Sequence, residues 1–156
     1  MMNLQEEILK IKNEMIDEFD KRVEALKEEE QEFPQDGDDY WSISETGEYI
    51  GDKWDSLDFE KDMLEIGNVF KTKQQAEFAA EKLKVEAELR KFSKPFEMLS
   101  TNWLIAEEKG GTIATHWSSH SKSQGTLYFE SEEKARQAIE TVGEDRIKKY
   151  IFGVED

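Results

Sequence analysis

His116 and His120 are the only two histidines of the chain, four residues apart, a spacing that on a helix would aim both imidazoles at one metal ion. The flanking pattern puts His116 in a strand and His120 in the Ser-rich loop Ser118-Ser119-His120-Ser121-Lys122-Ser123. Neither a His-Glu-x-x-His motif nor any cysteine accompanies them, so exposed loop histidines are expected here and no metal. The serines of that loop lie near a base but lack the strand-turn-helix elbow that raises a nucleophile. Asp36, Gly37, Asp38 and Asp39 have the composition of a calcium loop without its alternating ligand ladder or a closing Glu. There is no Gly-rich phosphate loop. Together these patterns favour a non-enzyme that needs no cofactor.

Charge is the second chemical signal, and it is uneven. Residues 1–70 hold 22 acids against 7 bases, whereas residues 71–156 hold 15 acids against 14 bases, accounting for the net charge of -16. Within residues 28–65 there are 15 acids and only Lys53 and Lys61, net -13. That segment carries a strong negative potential in any fold. A general acid would need a buried or paired carboxyl, and this stretch reads as solvated. Asp36, Asp38, Asp39, Asp52, Asp55, Asp58, Glu60 and Asp62 are therefore the expected partner-binding residues of an acidic surface.

The elements that position these groups come from a repeated pattern. Trp41, Ile43, Ile50, Trp54, Phe70, Ala76, Ala79 and Leu83 recur in order as Trp103, Ile105, Ile113, Trp117, Phe129, Ala135, Ala138 and Val142. The period is too long for common solenoid repeats, so the pattern predicts one domain built from two copies of a supersecondary unit. The fold class expected is α+β: two tandem ββ(β)α repeats forming an antiparallel sheet covered by helices, preceded by a long amphipathic helix. Repeat one covers 40–92, with strands at 40–43, 49–54 and 63–70. Thr72 caps its helix with Gln75 three residues on. Repeat two covers 102–143, with strands at 102–106, 112–117 and 125–129, a cap at Ser131 and a stop at Gly143. Residues 144–156 supply a last strand or an apolar tail, completing a duplicated domain over 38–156. The four tryptophans at equivalent positions read as paired core residues. A stacking platform for single-stranded nucleic acid would need a basic track beside them, and the strands lie beside acids.

Ahead of that domain, residues 1–33 form the N-terminal helical segment. Leu4, Ile8, Ile11, Met15, Phe19, Val23 and Leu26 fall three or four apart, the spacing of an amphipathic helix. Glu6 to Lys10, Asp17 to Lys21 and Glu18 to Arg22 add i,i+4 support. The run is too irregular for a strict heptad coiled coil, and it has no partner inside its own segment. Its stripe must pack on the repeat domain or on another copy, with Ile8, Ile11, Met15 and Phe19 as the oligomerisation residues of a homodimer. Glu28 to Glu32, then Pro34 and Gly37, mark an exposed acidic linker.

Tyr40-Trp41-Ser42-Ile43, Gly67-Asn68-Val69-Phe70-Lys71-Thr72 with Ala76-Glu77, Leu83-Lys84 to Leu89-Arg90, and the ending from Asp145 to Asp156 resemble a family of small proteins common in phages and prophages of Gram-positive bacteria. The resemblance covers about residues 38–156 and implies a mobile-element origin. It carries no catalytic residues. No stretch nears the roughly twenty apolar residues of a membrane span. The acidic start is unlike a signal peptide, so a cytoplasmic location in the bacterial host cell is expected. Such an origin combined with the acidic segment suggests binding of a host protein's basic, nucleic-acid-binding surface, as anti-CRISPR and anti-restriction DNA mimics do, without direct contact to nucleic acid. The competing expectation is an adaptor assembled through its N-terminal helix.

Overall fold

The computed structural model describes residues 3–30 and 32–155, so what is expected of Met1, Met2, Gln31 and Asp156 lies outside the described residues. Helix α1 runs Leu4–Glu30, its backbone extending through three of the glutamates read as linker. Asn3 starts it by accepting from the Glu6 amide at 2.9 Å, while the Glu6 carboxylate accepts from the Asn3 amide at 3.0 Å. This reciprocal pair satisfies two amides that the first helical turn would leave unpaired. An i,i+4 bridge joins Glu18 to Arg22 at 2.9 Å, and Lys10 pairs with Glu14.

Hairpin β1(Asp39–Ile43)–β2(Tyr49–Lys53) follows, then α2(Asp58–Glu65) and α3(Lys73–Arg90). A second hairpin, β3(Asn102–Glu108)–β4(Thr112–Ser118), leads into α4(Glu132–Val142) and α5(Glu144–Phe152). The class is thus α+β. The hairpins form two separate two-stranded antiparallel sheets, not the single sheet expected. Each takes only one more residue of pairing: Trp41 and Phe70 exchange backbone bonds of 2.9 and 2.8 Å, and Trp103 and Phe129 exchange bonds of 3.1 and 2.7 Å. The third strands expected at 63–70 and 125–129 shrink to these isolated bridges, with Tyr128 bridging Lys94. Residues 58–65 are helical because Asp58 and Glu60 occupy a first turn where the helix dipole favours acids. Gly67, at φ +78°, then turns the chain out of the helix.

Thr72 and Ser131 both act as helix caps, accepting from Gln75 N at 3.2 Å and from Lys134 N at 3.1 Å. The core is built around α3, β3, α4 and α5, where Val85, Leu89, Ile105, Phe129, Ala135, Ala138, Val142 and Ile147 are buried together. The segment expected as a strand or tail is helix α5, which buries Ile147 and lays Tyr150, Ile151 and Phe152 on the core. Arg146 ties α5 to α3 through two bonds to Glu88, of 3.1 and 3.0 Å, and donates a third to Val142 O at 3.0 Å. The loop before β3 hangs on buried Asn102, whose amide donates to the carbonyls of Glu97, Ser100 and Ser118 and accepts from Glu97 N. Asn68 does similar work in the first half, pairing with both the amide and the carbonyl of Ile43 at 2.8 and 2.9 Å.

The tryptophans part company. Trp54 is 3% exposed, packed edge-on against Tyr40 at 5.5 Å, whereas Trp117 is 60% exposed. The registers explain the difference: Trp103 faces Trp117 across its hairpin, but Trp41 faces Gly51, and Trp54 lies beyond β2. Gly51 lets the Trp41 indole lie flat on the strand, since a Cβ there would meet the ring at 3.2 Å.

Phe129→Ala is expected to cost about 3–5 kcal/mol by opening the core, and Trp117→Ala within about 1 kcal/mol, read from urea denaturation midpoints. Glu88 gives a pH signature. The Arg146 hydrogen bonds hold its carboxyl below the usual carboxylate range. Its contribution is therefore full above that range and lost as pH falls through the lowered value. Glu88→Gln should flatten the acid limb of the stability curve, by no more than about 1 kcal/mol because the pair is partly solvated.

Candidate functional site

The first hairpin gathers the expected acidic surface at one end. Gly37 N donates to Trp54 O and Trp54 N to Asp38 O, both at 2.8 Å, so the segment entering β1 runs beside the segment leaving β2. Asp36, Asp38 and Asp39 thereby meet Asp52 and Asp55, with Asp58 opening α2. Of these, Asp38 is half-buried and the other five are exposed, as is Asp62. Lys53 offsets part of the charge by pairing with Asp39 at 2.9 Å, and Lys61 lies 3.9 Å from Asp58.

Ser56 is the hinge of this end. Its φ of +55° is a left-handed conformation that a serine adopts at a cost of roughly 1 kcal/mol or more. Its hydroxyl accepts from Trp54 Nε1 at 3.1 Å and donates to Asp36.

Glu60 departs from its expected role. It is buried, and its Oε2 accepts from Leu57 N at 2.8 Å and Asp55 N at 3.1 Å, so it is a fastener for the start of α2 and not part of the acidic surface. Sequence offers one signal for this: a Glu three residues after the residue preceding a helix reaches back to that residue's amide. Tyr40 packs above it. Burial, reinforced by Glu60 and then by Asp52, pushes the Tyr40 phenol up to about 12.

The second candidate surface is α1. Eight of its apolar side chains are exposed, with Leu4, Met15 and Phe19 at 72%, 67% and 66%, and Ile8, Leu9, Ile11, Ile16 and Leu26 beside them, while Val23 is half-buried. Among the described residues α1 packs extensively on no other element, so the intramolecular docking expected as one option for the stripe is not seen there.

The histidines do not meet. His116 on β4 contacts Glu108 Oε1 at 3.1 Å, and His120 Nδ1 contacts Ser119 Oγ at 2.6 Å. Among the described residues no group of three or more His, Asp or Glu could hold a metal ion. Ser118 spends its hydroxyl on Ser121 O at 2.8 Å within the loop. The Trp platform is likewise dispersed: Trp54 is buried, and Trp41 lies under the Lys73 ammonium, 5.9 Å from the ring centroid.

Sequence reading missed a cleft of about 660 Å³ between α3, α5 and the Ser-rich loop. Leu89, Ile105, Phe129, Ile147, Ile151 and Phe152 line it, with Arg90 and Lys122 among its polar residues. Its size is within the usual range for small-molecule sites, though no histidine is among its lining residues. Among the described residues no helix is long and apolar enough to cross a membrane.

No protein-family model, no curated protein and no solved structure matches this chain.

Alkaline titration of tyrosine absorbance should show one phenol ionising last, and Glu60→Gln should lower its midpoint. Because the folded value lies above the ordinary phenol value of 10.0, Tyr40 stabilises the fold below that pH and the contribution is lost as pH rises towards about 12. Glu60→Ala, which strands the amides of Asp55 and Leu57, should cost about 1–3 kcal/mol in urea denaturation.

Proposed function

We propose that this protein is a non-enzymatic binding protein that assembles with other polypeptide through the apolar face of α1, the compact α+β part serving as a rigid carrier. The exposed stripe on α1 carries this reading. A monomer rarely leaves a contiguous apolar face of this extent in water. Each large side chain removed from solvent contributes roughly 1.5–3 kcal/mol when fully buried. Eight such side chains, half buried, supply about 6–12 kcal/mol per chain, comparable with an association cost of about 4–15 kcal/mol. Most helical stability in proteins comes from packing of an amphipathic face, so packing of the α1 stripe is the natural source of its stability. The tandem pattern in the sequence fits a duplicated carrier. Resemblance to phage and prophage proteins suits an accessory protein acting inside a bacterial host cell.

A second reading is favoured by the convergence of Asp36, Asp38, Asp39, Asp52 and Asp55 at the start of α2. That acidic end would occupy the basic groove of a host nucleic-acid-binding enzyme, as anti-restriction or anti-CRISPR proteins of the DNA-mimic type do. Steering by such a surface makes association fast and salt-sensitive. The two readings are compatible, with α1 assembling the protein and the hairpin end presenting charge.

A pull-down from nuclease-treated bacterial lysate, eluted in salt steps, separates them. Ile8→Gln with Ile11→Gln should abolish a salt-resistant association while keeping the helix, because Gln retains good helical propensity. Changing Asp36, Asp38, Asp39, Asp52, Asp55 and Asp58 to Asn should leave that association intact and remove only what elutes at moderate salt. Loss of the salt-resistant association in the Asn variant instead would overturn the first reading.

A further inference from the structure

Resting on the reading of α1 as the assembly element, we propose that its partner is a second copy of this chain, paired antiparallel about Met15. The side chains along the centre of the α1 stripe are Leu4, Ile8, Ile11, Met15, Phe19, Arg22 and Leu26. Their steps are four, three, four, four, three and four residues, an eleven-residue period. Eleven residues in three turns is about 3.67 per turn, close to the roughly 3.6 of a straight helix. Two such helices can stay in contact along their length with little supercoiling, and without the heptad that α1 lacks.

Those steps read the same in both directions, so reversing one helix superposes the two stripes with Met15 at the midpoint. Leu4 then meets Leu26 of the second copy, Ile11 meets Phe19, and Ile8 lies opposite Arg22. Parallel pairing in register would instead set Arg22 against its own copy in the centre of the contact, two like charges leaving water together. In the antiparallel pair the Arg22 stem can cover Ile8 of the second copy while its head stays at the edge. That edge carries Glu18, already 2.9 Å from Arg22 within the helix, and Glu7 of the second copy comes level with it.

The two flanks of the stripe point the same way. At about 100° per residue, Glu7, Glu14 and Glu18 border one side, and Leu9, Ile16 and Val23 border the other, where Lys12 stands as a charged residue beside the stripe. Antiparallel helices bring like flanks together, so Leu9, Ile16 and Val23 bury one another and Arg22 offsets the acidic edge. A parallel pair would press the apolar flank of each helix against the glutamates of the other.

Long-range charge agrees. A 27-residue helix spans about 40 Å, so an antiparallel pair keeps the two strongly acidic 28–65 segments several Debye lengths of about 8 Å apart. A parallel pair would hold them side by side.

The chain has no cysteine, which makes single-cysteine cross-linking clean. The full chain is expected to sediment at twice its monomer mass at about 50 μM, and Ile8→Gln with Ile11→Gln to weaken self-association roughly 100-fold or more. On oxidation, an equimolar mixture of Leu4→Cys and Leu26→Cys chains should give mainly the mixed disulfide, and Leu4→Cys alone little. Efficient self-linking of Leu4→Cys, matched by Leu26→Cys, would overturn the antiparallel arrangement. A monomer mass for the unaltered chain with α1 helical would overturn self-pairing. The reading of α1 as an assembly element would then stand only if Ile8→Gln with Ile11→Gln still abolished a salt-resistant association with a different protein.

Discussion

Two backbone hydrogen bonds between Trp103 and Phe129 set the second half of the molecule. They fix where the chain returns to the hairpin, and so where Ser131 caps α4 and where Ala135, Ala138 and Val142 fall against Ile105. Phe129 itself is driven fully under the core by the same contact. Trp41 and Phe70 make the corresponding exchange in the first half, placing Thr72 and the start of α3. The halves differ in what the placement buries. α3 packs on both the first hairpin and the α4–α5 pair, so the larger cluster gathers between it and the second hairpin. The first hairpin is left peripheral, with its acidic end in solvent.

Much of this was legible in the chain, for identifiable reasons. Helix α1, both hairpins, and the caps at Thr72 and Ser131 follow from periodicity, turn glycines and local hydrogen-bond chemistry, all of which act over a few residues. The single sheet was not legible, because strand pairing between distant segments depends on what else competes for the edge; here single-residue bridges at Phe70 and Phe129 take its place. The strand expected at 63–70 gives way to a short helix framed by Asp58, Glu60 and Gly67. In the last segment Ile147, Tyr150 and Ile151 stand at helical spacing, the pattern that α5 realises.

The candidate surfaces divide in the same way. Five of the expected acids do converge with Asp58 at one end of the first hairpin, because the two bonds between the Gly37–Asp38 segment and Trp54 hold its two sides together. Glu60 could not be told from its neighbours by charge; only its position within the first turn of α2 sends it inward, beneath Tyr40. Half-buried Asn68 and buried Asn102 are silent in sequence for a related reason. Each substitutes for missing strand pairing at a loop whose course is set by tertiary contacts.

Assembly through α1 makes its sharpest demand on α1 itself, whose apolar side chains stand in water when the chain is alone. Amide hydrogen exchange across a dilution series of the full chain reads this residue by residue. Protection of the Ile8–Phe19 amides that rises with protein concentration, while that of α3 and α4 stays constant, is the result expected. Rapid exchange of those amides at every concentration, with or without host lysate, would contradict it.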